Sequence, residues 1–353
     1  MKVLLLSRYG RLGASSRVRS LQYLPFIEQQ DVHTDISPLF SDEYISALYS
    51  GRSRWHLILS GYWTRIKTLF KVKSYDLIWI EKEVFPYLPA FIERFFNIMG
   101  VVYIVDYDDA IFHNYDRHRY WFIRALLGKK IDVVMCSSNL VIVGNDYLAA
   151  RARSAGASWV EIIPTVVDVD RYECKAKKDT SELVVGWIGT PSTQCYLQKL
   201  IPVFERLKAE FDVRFIAVGA NQADLKSSAI EAEPWMEKTE SSIIQQFDIG
   251  IMPLADTDWE LGKCGYKLIQ YMACGIPVIA SEIGANKKII NNGVNGYLVN
   301  DLSEWERMLR ALITSNSNRK NMGAAGYKLV HSWYSVQVQA PRLAIFFHRV
   351  NSR

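Results

Sequence analysis

Residues 262–296 read GKCGYKLIQYMACGIPVIASEIGANKKIINNGVNG, and this stretch decides the fold. Gly262 and Gly265 precede an apolar run whose spacing predicts a helix, and Gly275 is expected to end that helix. The apolar segment that begins at Pro277 is typical of a strand buried on both faces of a parallel sheet. The order loop, helix, strand, loop therefore predicts one αβ step of a doubly wound domain.

The loop before this helix is suited to an anion. A helix N-terminus behind a glycine turn offers backbone N–H groups without partners and the positive end of a dipole, both of which favour a diphosphate. Lys263 and Lys267 add positive charge beside it. Taken alone, the GxxG pattern fits any αβ unit, so it indicates a nucleotide site only together with the strand and the Asn-Gly turn that follow.

The string CGYKLIQYMACGIPVIAS resembles the donor-binding segment of glycosyltransferase family 4, the retaining enzymes of GT-B fold. The segment IIPTVVDVDRY at residues 162–172 resembles the interdomain linker of that family. The family usually has a glutamate at each end of an eight-residue step, where this chain has Gly262 and Gln270. Glu260 is an alternative first carboxylate. The Lys-Cys-Gly-aromatic-Lys loop resembles a subfamily without paired glutamates, in which backbone amides and Lys267 would hold the diphosphate.

The resemblance implies an α/β fold of GT-B type, with two Rossmann-like, doubly wound parallel-sheet domains that face a cleft. The boundary is predicted at Pro164. The predicted N-terminal, acceptor-binding domain comprises residues 1–164 and a returning helix at 335–353, and the predicted nucleotide-sugar-binding domain comprises 165–334. The alternation of strand and helix patterns restarts after the boundary, as expected for a second parallel-sheet domain.

Length and composition are those of a folded protein of two ordinary domains. The 353 residues are 49% hydrophobic, and no Pro/Gly/Ser-rich block indicates disorder. The cysteines are scattered and lack CxxC spacing: Cys136, Cys174, Cys195, Cys264 and Cys274. They indicate neither a disulfide framework nor a zinc site. We therefore expect a protein of the reducing cytoplasm. The apolar run in the opening MKVLLLSRYG is too short for a signal peptide and no apolar run would span a membrane, so we expect a soluble or peripheral protein.

The net charge of +5 is unevenly placed. Residues 44–75 contain no Asp or Glu, and their basic residues alternate with Trp, Tyr and Leu: Arg52, Arg54, Arg65, Lys67, Lys71 and Lys73. This mixture is typical of a helix that binds an anionic membrane surface, so peripheral attachment to the inner face of the cytoplasmic membrane is one interpretation. An amphipathic helix packed on the N-terminal sheet is the other. No nucleic-acid-binding module accompanies the basic residues.

The loop after the predicted first strand carries Gly10 and Gly13 and leads into a helix. Its Gly-x-x-Gly spacing is not the G-x-G-x-x-G fingerprint of dinucleotide enzymes, which disfavours a Rossmann oxidoreductase. In the family that the chain resembles this loop faces the cleft, so Gly13 and Arg17 are candidates for donor binding. We expect Arg19 to be an ordinary surface charge.

The sequence DYDDAIFH at residues 106–113 follows a predicted strand, at the sheet edge where open α/β sheets bind ligands. Adjacent carboxylates and a histidine suit hydroxyl orientation or proton acceptance, although aspartates also commonly cap helices. By resemblance, Asp109 and His113 are the first candidates for catalytic residues near the donor sugar, and Asp108 is the third. Asp106 and Asp108 have DxD spacing, but the resemblance implies a diphosphate held by amides and cations without a metal.

In the C-terminal half, the loop after predicted strand 183–188 lacks the arginine and lysine that the family usually has there. This shifts the neutralisation of the diphosphate to Lys267, which is the fourth predicted catalytic residue, or to Lys263 or Arg17. The resemblance implies main-chain contacts to the base from residues 231–238, for which Met236 and Glu237 are the candidates. The other predicted donor-binding residues of this half are Gly189, Thr190, Glu237, Lys263, Cys264, Gly265, Tyr266 and Gln270.

Other apolar patterns predict a helix over residues 86–99, a strand over 132–136 and one continuous helix over 195–210. The chain after residue 299 is predicted to be helical in three stretches, 303–314, 319–330 and 336–350.

The resemblance implies a retaining glycosyltransferase that uses a nucleoside diphosphate sugar, with UDP favoured over GDP or dTDP, and no cofactor. The expected acceptor is a saccharide, with a lipid-linked glycan of the bacterial surface (capsule, O-antigen or exopolysaccharide) as the leading class. One alternative is a non-catalytic module that binds a nucleotide sugar or glycan, because the usual glutamates are absent at Gly262 and Gln270. The other is a nicotinamide-dependent oxidoreductase.

Overall fold

The computed structural model describes residues 1–172 and 182–352, which divide into two compact units. The first unit comprises Met1–Val166, Gly262–Cys264 and the chain from Val336 onward. The second comprises the described residues of Val167–Leu261 and of Gly265–Ser335. The sequence placed the boundary at Pro164 and assigned 262–264 to the second domain, so the observed division differs at both places. Cys174 lies outside the described residues.

The first unit is built on one parallel sheet. Its strands are β1 (Lys2–Leu6), β2 (His33–Ile36), β3 (Leu77–Glu81), β4 (Tyr103–Tyr107), β5 (Leu140–Val143) and β6 (Val160–Ile162). Their order across the sheet is β2-β1-β3-β4-β5-β6. Strands β3 and β4 are buried along their whole length, as their apolar runs predict. The strand order reverses between β1 and β3, so the carboxyl ends of these two strands form the switch point at which such sheets bind ligands.

Helices connect these strands. They are α1 (Ala14–Arg19), α2 (Leu24–Glu28), α3 (Asp42–Tyr49), α4 (Trp55–Leu69), α5 (Phe91–Ile98), α6 (His113–Asp116), α7 (Trp121–Leu127), α8 (Lys130–Ser137) and α9 (Asp146–Ser154). The strand predicted at 132–136 is wrong, because these residues lie in α8. Ile131, Val134 and Met135 are buried at helical spacing, and the β-branched composition of the segment concealed that periodicity.

The helix predicted over 86–99 is helical only from Phe91 to Ile98. Two features keep the preceding residues in a loop. Pro86 and Pro89 each lack a backbone N–H, and Tyr87 has a φ of +58°, which no helix accommodates.

Helix α4 lies in the segment that the sequence left with two interpretations. Ile58 and Tyr62 pack against the hydrophobic core of the first unit. Arg65 is also buried, and its guanidinium donates to the carbonyls of Ser7 and Ser37 over 2.7 and 2.9 Å. The expectation that Arg65 belongs to an exposed basic pattern is therefore wrong. The Arg65 side chain links α4 to the carboxyl ends of β1 and β2.

The second unit has its own parallel sheet. Its strands are β7 (Leu183–Ile188), β8 (Val213–Val218), β9 (Ile230–Glu233), β10 (Ile249–Met252), β11 (Val278–Ser281) and β12 (Gly296–Val299). Their order is β12-β11-β10-β7-β8-β9, so the switch point lies between β10 and β7. Strand β9 was not predicted, because it is a short edge strand with glutamate at every second position and little hydrophobic signal.

The helices after β7 are α10 (Cys195–Gln198), α11 (Ile201–Glu210), α12 (Gln222–Leu225), α13 (Glu240–Ile244), α14 (Asp258–Leu261), α15 (Tyr266–Ala273), α16 (Asn286–Ile289), α17 (Leu302–Thr314), α18 (Asn316–Trp333) and α19 (Val336–Asn351). The single helix predicted over 195–210 is divided into α10 and α11. Pro202 lies in the first turn of α11, where its missing N–H is tolerated, whereas it would interrupt a continuous helix.

The loop, helix and strand predicted from residues 262–296 are confirmed. Gly265 has a φ of +68° immediately before α15, and Gly275 has a φ of +70° directly after the C-cap residue Cys274, both in the left-handed region that favours glycine. Strand β11 follows. With two six-stranded parallel sheets and helices between the strands, the predicted α/β class is confirmed.

Helix α19 belongs to the first unit, although it follows the second in the chain. Its buried face supplies Leu343 and Phe347 to the core that also contains Val3 and Trp79. The rings of Phe347 and Trp79 meet edge to face, with centroids 5.1 Å apart. Helix α19 therefore completes the hydrophobic core of the first unit. Within the described residues, no helix has the length and apolar content required to span a bilayer.

Candidate active site

Glu81, the last residue of β3, organises the switch point of the first unit. Its carboxylate accepts hydrogen bonds from the backbone N–H of Arg8 at 2.9 Å and from the hydroxyls of Ser15 and Ser16 at 3.1 and 2.5 Å. These donors lie on the loop after β1 and in the first turn of α1. The carboxylate thus holds the glycine-containing loop, with Gly13, against the end of β3.

Lys82 is the next residue, and sequence reasoning missed it. It has a φ of +70°, which is uncommon for lysine, and its side chain is buried. Its ammonium lies 2.9 Å from Asp108 Oδ1 and donates to the Ser15 hydroxyl over 2.8 Å. Strained residues of this kind cluster at functional sites. Its place directly after a buried strand was the one available signal.

Asp108 is held in its ionised form. Burial opposes the charge, but the ammonium of Lys82 and the hydrogen bond from Ser15, whose Oγ is 2.6 Å from Oδ2, outweigh it and lower the pKa of Asp108 to about 2. The carboxylate is therefore a permanent hydrogen-bond acceptor at neutral pH. Of the predicted catalytic residues, Asp108 is the one that the structure places within this network.

Arg19 is not a surface charge, and that expectation is wrong. Its side chain is buried, Nε lies 2.5 Å from Asp106 Oδ1, and NH1 donates to the carbonyl of Ile163 over 2.6 Å. Burial raises the pKa of Asp106 to about 6, although Arg19 acts in the opposite direction. The pair links α1 to the end of β4 and to the chain after β6. Arg17 is buried as well, with NH1 3.4 Å from the carbonyl of Arg11.

Asp109 pairs with Lys263, whose ammonium lies 2.8 Å from Oδ1. The Asn145 amide donates to the carbonyls of Gly262 and Lys263, each over 3.0 Å. These bonds explain why 262–264 belong to the first unit and not to the second domain, where the sequence placed them. The charge of Lys263, predicted to face the donor phosphates, is matched by a carboxylate.

Cys264 is buried in the same segment. Its thiol donates to the carbonyl of Asp108 over 3.1 Å, and burial raises its pKa to about 12. The cysteine therefore packs as a neutral side chain beneath the 106–113 loop. A larger residue at Gly144 would displace it, since a Cβ there would lie 2.2 Å from the Cys264 sulfur.

His113 is held through both ring nitrogens. Nδ1 lies 2.8 Å from Asp116 Oδ1, and Nε2 lies 2.8 Å from the Tyr147 hydroxyl. Asp116 in turn pairs with Arg151 at 3.0 Å. The structure therefore places His113, predicted to be catalytic, in a network that fixes α6 against α9 and gives its ring nitrogens internal partners.

In the second unit, Lys267 lies one residue after the start of α15. Its ammonium is 4.3 Å from the ring centroid of Trp187, which lies near the end of β7. This cation–π contact sets the charge beside the switch point between β7 and β10. Gly189 follows β7 and packs tightly against the Trp187 ring. A Cβ at this position would lie 2.3 Å from that ring, so a larger residue would clash with it. Thr190 caps the next turn by a reciprocal bond with Thr193.

Gln270, the residue at the second family-glutamate position, is buried next to a carboxylate. Its Nε2 donates to Glu240 Oε1 over 2.9 Å and to the hydroxyl of Tyr172 over 3.0 Å. Glu240 also accepts from that hydroxyl at 2.9 Å and from Trp235 Nε1 at 2.7 Å. The unit thus has a buried carboxylate at this place, but it comes from α13 and not from position 270.

The remaining predicted residues are placed as follows. Glu260, the alternative first carboxylate, is buried and accepts from Tyr196 and Thr257. Glu237 lies 3.8 Å from Arg171, and the Met236 side chain is exposed. Gly265 and Tyr266 form the N-terminus of α15 as predicted. Among the described residues, no three His, Cys, Asp or Glu side chains are grouped so that they could hold one metal ion.

Part of the chain is similar in sequence to known glycosyltransferases. Residues 182–315 match the family model described as glycosyl transferases group 1. The D-inositol 3-phosphate glycosyltransferase of Thermobifida fusca (strain YX) is 34% identical over 64 residues. That alignment covers 18% of this chain and only 15% of the length of the relative.

Solved structures match over the whole chain. Anabaena Alr3699/HepE in complex with UDP and glucose has a TM-score of 0.72 at 15% identity and covers 99% of both chains. WaaG, a glycosyltransferase involved in lipopolysaccharide biosynthesis, has a TM-score of 0.67 at 11% identity and covers 98% of this chain and 99% of its own. These likenesses establish the fold, which is GT-B, as the resemblance implied.

Proposed function

We propose that the protein is a retaining glycosyltransferase of family 4 that uses a nucleoside diphosphate sugar. The observation that carries the proposal is the N-terminus of α15 at the switch point of the second sheet, with Gly265 before it and Lys267 in its first turn. Backbone N–H groups at a helix start and a fixed ammonium are suited to a diphosphate. The match of residues 182–315 to the group 1 glycosyl transferases supports this assignment.

UDP is the proposed nucleotide. The support is the Anabaena structure of the same fold, which holds UDP and glucose. In this chain the Gln270 amide has a fixed orientation, because its Nε2 donates to Glu240 and Tyr172. Its Oε1 is the hydrogen-bond acceptor of the group. We assign to that oxygen the acceptance of ribose hydroxyls, which a glutamate performs in the family that the chain resembles.

In the first unit, we assign the acceptor to the switch point at Lys82 and Asp108. An ionised carboxylate accepts a hydrogen bond from an acceptor hydroxyl without taking its proton, since its pKa of about 2 is too low for a general base at neutral pH. In the mechanism implied by the resemblance, the leaving diphosphate takes that proton on the same face of the sugar. In the second unit, Lys267 with the amides of Gly265 and Tyr266 would stabilise the charge of the leaving diphosphate.

A thermal-shift screen with UDP, GDP, dTDP, CMP and NADH tests donor binding, because a ligand of the folded state raises the melting temperature. We expect UDP to raise it and NADH to leave it unchanged. Release of UDP from a UDP-sugar in the presence of saccharide acceptors then tests transfer. Binding without turnover of any donor would favour the non-catalytic module, for which the absence of carboxylates at Gly262 and Gln270 is the motivating observation.

We also propose that the protein attaches to the cytoplasmic membrane through α4 and extends a lipid-linked glycan of the bacterial surface. One face of α4 packs on the core, and the other carries an exposed series at helical spacing, here called the α4 stripe: Trp55, Leu59, Trp63, Ile66 and Phe70. Trp55 and Phe70 are 75% and 86% exposed. Lys67 lies 5.4 Å from the ring centroid of Trp63. The WaaG likeness is consistent with a glycan of this class.

A further inference from the structure

A second exposed apolar surface lies on helix α7 of the first unit. Trp121 and Leu126 are 71% and 72% exposed, and the rings of Tyr120 and Phe122 are exposed as well. Tyr120 and Phe122 stack with centroids 5.5 Å apart. These four residues are called the α7 surface below. Single exposed apolar residues are ordinary, but several on one short helix form a patch that indicates an interaction site.

The segment of sequence that carries this surface has charges of one sign. No Asp or Glu occurs between Asp116 and Asp132, and the exposed basic residues of this interval are Arg117, Arg119, Arg124 and Lys129. The guanidinium of Arg119 lies 4.4 Å from the ring centroid of Tyr120. Amphipathic aromatic rings next to arginines, without intervening acids, suit the headgroup region of an anionic bilayer.

A series of contacts connects the α7 surface to helix α4. Tyr62 of α4 donates to the carbonyl of Pro86 over 2.7 Å, which fixes the 82–90 loop beside α4. The next residue of that loop, Tyr87, is about half exposed, and its ring meets the His118 ring with centroids 6.4 Å apart. The His118 ring in turn meets the Tyr120 ring at 5.4 Å. Helix α4 and the α7 surface are therefore linked by contacts within the first unit.

Helix α5 adds to the same exposed set. Phe91, Phe95 and Ile98 are at helical spacing and all point away from the core, with Ile98 82% exposed. The buried side of α5 carries Glu93 and Phe96, and Glu93 accepts from the backbone N–H of Val84 over 3.0 Å. The α5 helix is thereby held against the same 82–90 loop.

We propose that the α4 stripe and the α7 surface dock together on an anionic lipid bilayer as two parts of one membrane-binding face. A second copy of the chain is disfavoured as the occupant, because it would bring the arginines around α7 against an equally basic rim. An anionic bilayer offers the complementary charge and an apolar interior for the rings. The inference rests on the proposed function where the acceptor is lipid-linked.

The docking face also fits the position of the site in the first unit. The loop that exposes Tyr87 begins at Lys82, which contacts Asp108. Its second residue, Glu83, is buried and accepts from the Tyr115 hydroxyl at 2.9 Å, so the loop is held at its start and exposed at its tip. Docking of the tip would bring the carboxyl end of β3 close to the headgroups, where a lipid-linked saccharide presents its hydroxyls.

Vesicle flotation of the full chain tests the inference. The probes are vesicles of phosphatidylcholine alone and of equal parts phosphatidylcholine and phosphatidylglycerol, at low and high salt. We expect binding to the anionic vesicles that weakens with salt. Arg119→Gln should weaken it about fivefold, and Trp121→Ala roughly tenfold, by loss of buried apolar area.

Matched controls lie on the second unit. Trp333→Ala and Arg307→Gln also remove a partly exposed tryptophan and an exposed arginine, and we expect neither to change flotation. The double variant Trp63→Ala/Trp121→Ala should bind more weakly than either single variant, as expected for two contacts of one docked state. Unchanged melting temperatures would show that the variants fold.

The inference would be overturned if the Trp121→Ala and Arg119→Gln variants floated with the anionic vesicles to the same extent as the wild type. So would light scattering that shows a dimer which Trp121→Ala dissociates while flotation stays unchanged, since the occupant would then be a second copy. The readout is independent of the proposed activity. A variant that no longer floats but keeps its UDP-induced thermal shift supports the docking face, whereas loss of UDP binding in the wild type would concern the proposed function alone.

Discussion

The amide nitrogen of Gln270 lies 2.9 Å from a carboxylate oxygen of Glu240, and both side chains are buried. This contact explains why a glutamine is compatible with position 270 and a glutamate is not. A carboxylate there would face a second carboxylate at hydrogen-bond distance, and two such groups cannot both ionise without cost. The protein therefore keeps a single carboxyl group at this place and supplies it from α13.

The first prediction concerns this pair. Gln270→Glu should destabilise the protein by about 1–3 kcal/mol at neutral pH, because the buried carboxylate of Glu240 loses a donor and gains a like charge. The destabilisation should diminish on acidification, since one carboxyl of the pair acquires a raised pKa and becomes protonated. Urea unfolding at pH 7 and pH 5 measures both effects.

The exchanged variant Gln270→Glu/Glu240→Gln is the control for that prediction. It restores one amide and one carboxylate, so it should recover much of the stability that Gln270→Glu loses. Additive losses in the double variant would contradict the pairing.

The second prediction concerns the buried pair of Arg19 and Asp106. Arg19→Met should cost about 3–5 kcal/mol of unfolding free energy, because it leaves a buried carboxylate without its partner. The double variant Arg19→Met/Asp106→Leu should lose less than the sum of the single variants. Arg206→Met is the matched control in the second unit. Its partner, Glu306, is held 2.6 Å away at the surface, and we expect no measurable change in urea unfolding.

The third prediction concerns the pH dependence that Asp108 confers. Its folded-state pKa of about 2 lies below the ordinary value of 3.8, so the carboxylate stabilises the fold above about pH 4. That contribution, about 2 kcal/mol, is lost as the pH falls through the folded-state pKa. The unfolding free energy of Asp108→Asn should therefore fall less steeply below pH 4 than that of the wild type. Parallel acid profiles would show that Lys82 does not hold Asp108 ionised.

The fourth prediction concerns Lys267. Lys267→Ala should lower turnover of a UDP-sugar about a hundredfold to a thousandfold, as the loss of one preorganised donor at a leaving group typically does. It should leave the melting temperature of the unliganded protein nearly unchanged and reduce the UDP-induced shift. Lys208→Ala, an exposed lysine of α11, is the control. Unchanged turnover in Lys267→Ala would remove this residue from charge neutralisation.

Much of the architecture could be predicted because the strands of a buried parallel sheet are recognisable in sequence by their apolar composition. Buried strands such as β3 and β4 are mostly apolar, and Gly265 and Gly275 mark the two ends of α15. The failures have local causes. In α8, β-branched residues concealed the helical spacing of the buried residues. In the segment 195–210, the apolar spacing predicted one helix, but Pro202 lies in the first turn of a second helix there.

The site was harder to predict, because its partners are distant in sequence. Arg19 and Asp106 are each unremarkable in the sequence, and only the fold shows that they form a buried pair. Lys82 carried no motif, and its left-handed backbone cannot be inferred from its neighbours. At Gly262, the absent glutamate has a steric explanation: a Cβ there would lie 2.6 Å from the backbone nitrogen of Ala110.

Gly262–Cys264 belong to the first unit, while the residues immediately before and after them belong to the second. A chimera that exchanges the second unit between related chains therefore cannot be made with a single splice after Val166. It must also keep these three residues with their original host and retain the chain from Val336, whose Phe347 packs against Trp79. A simple exchange would separate Asp109 from Lys263, so the chimera would lose this ion pair even where both units fold.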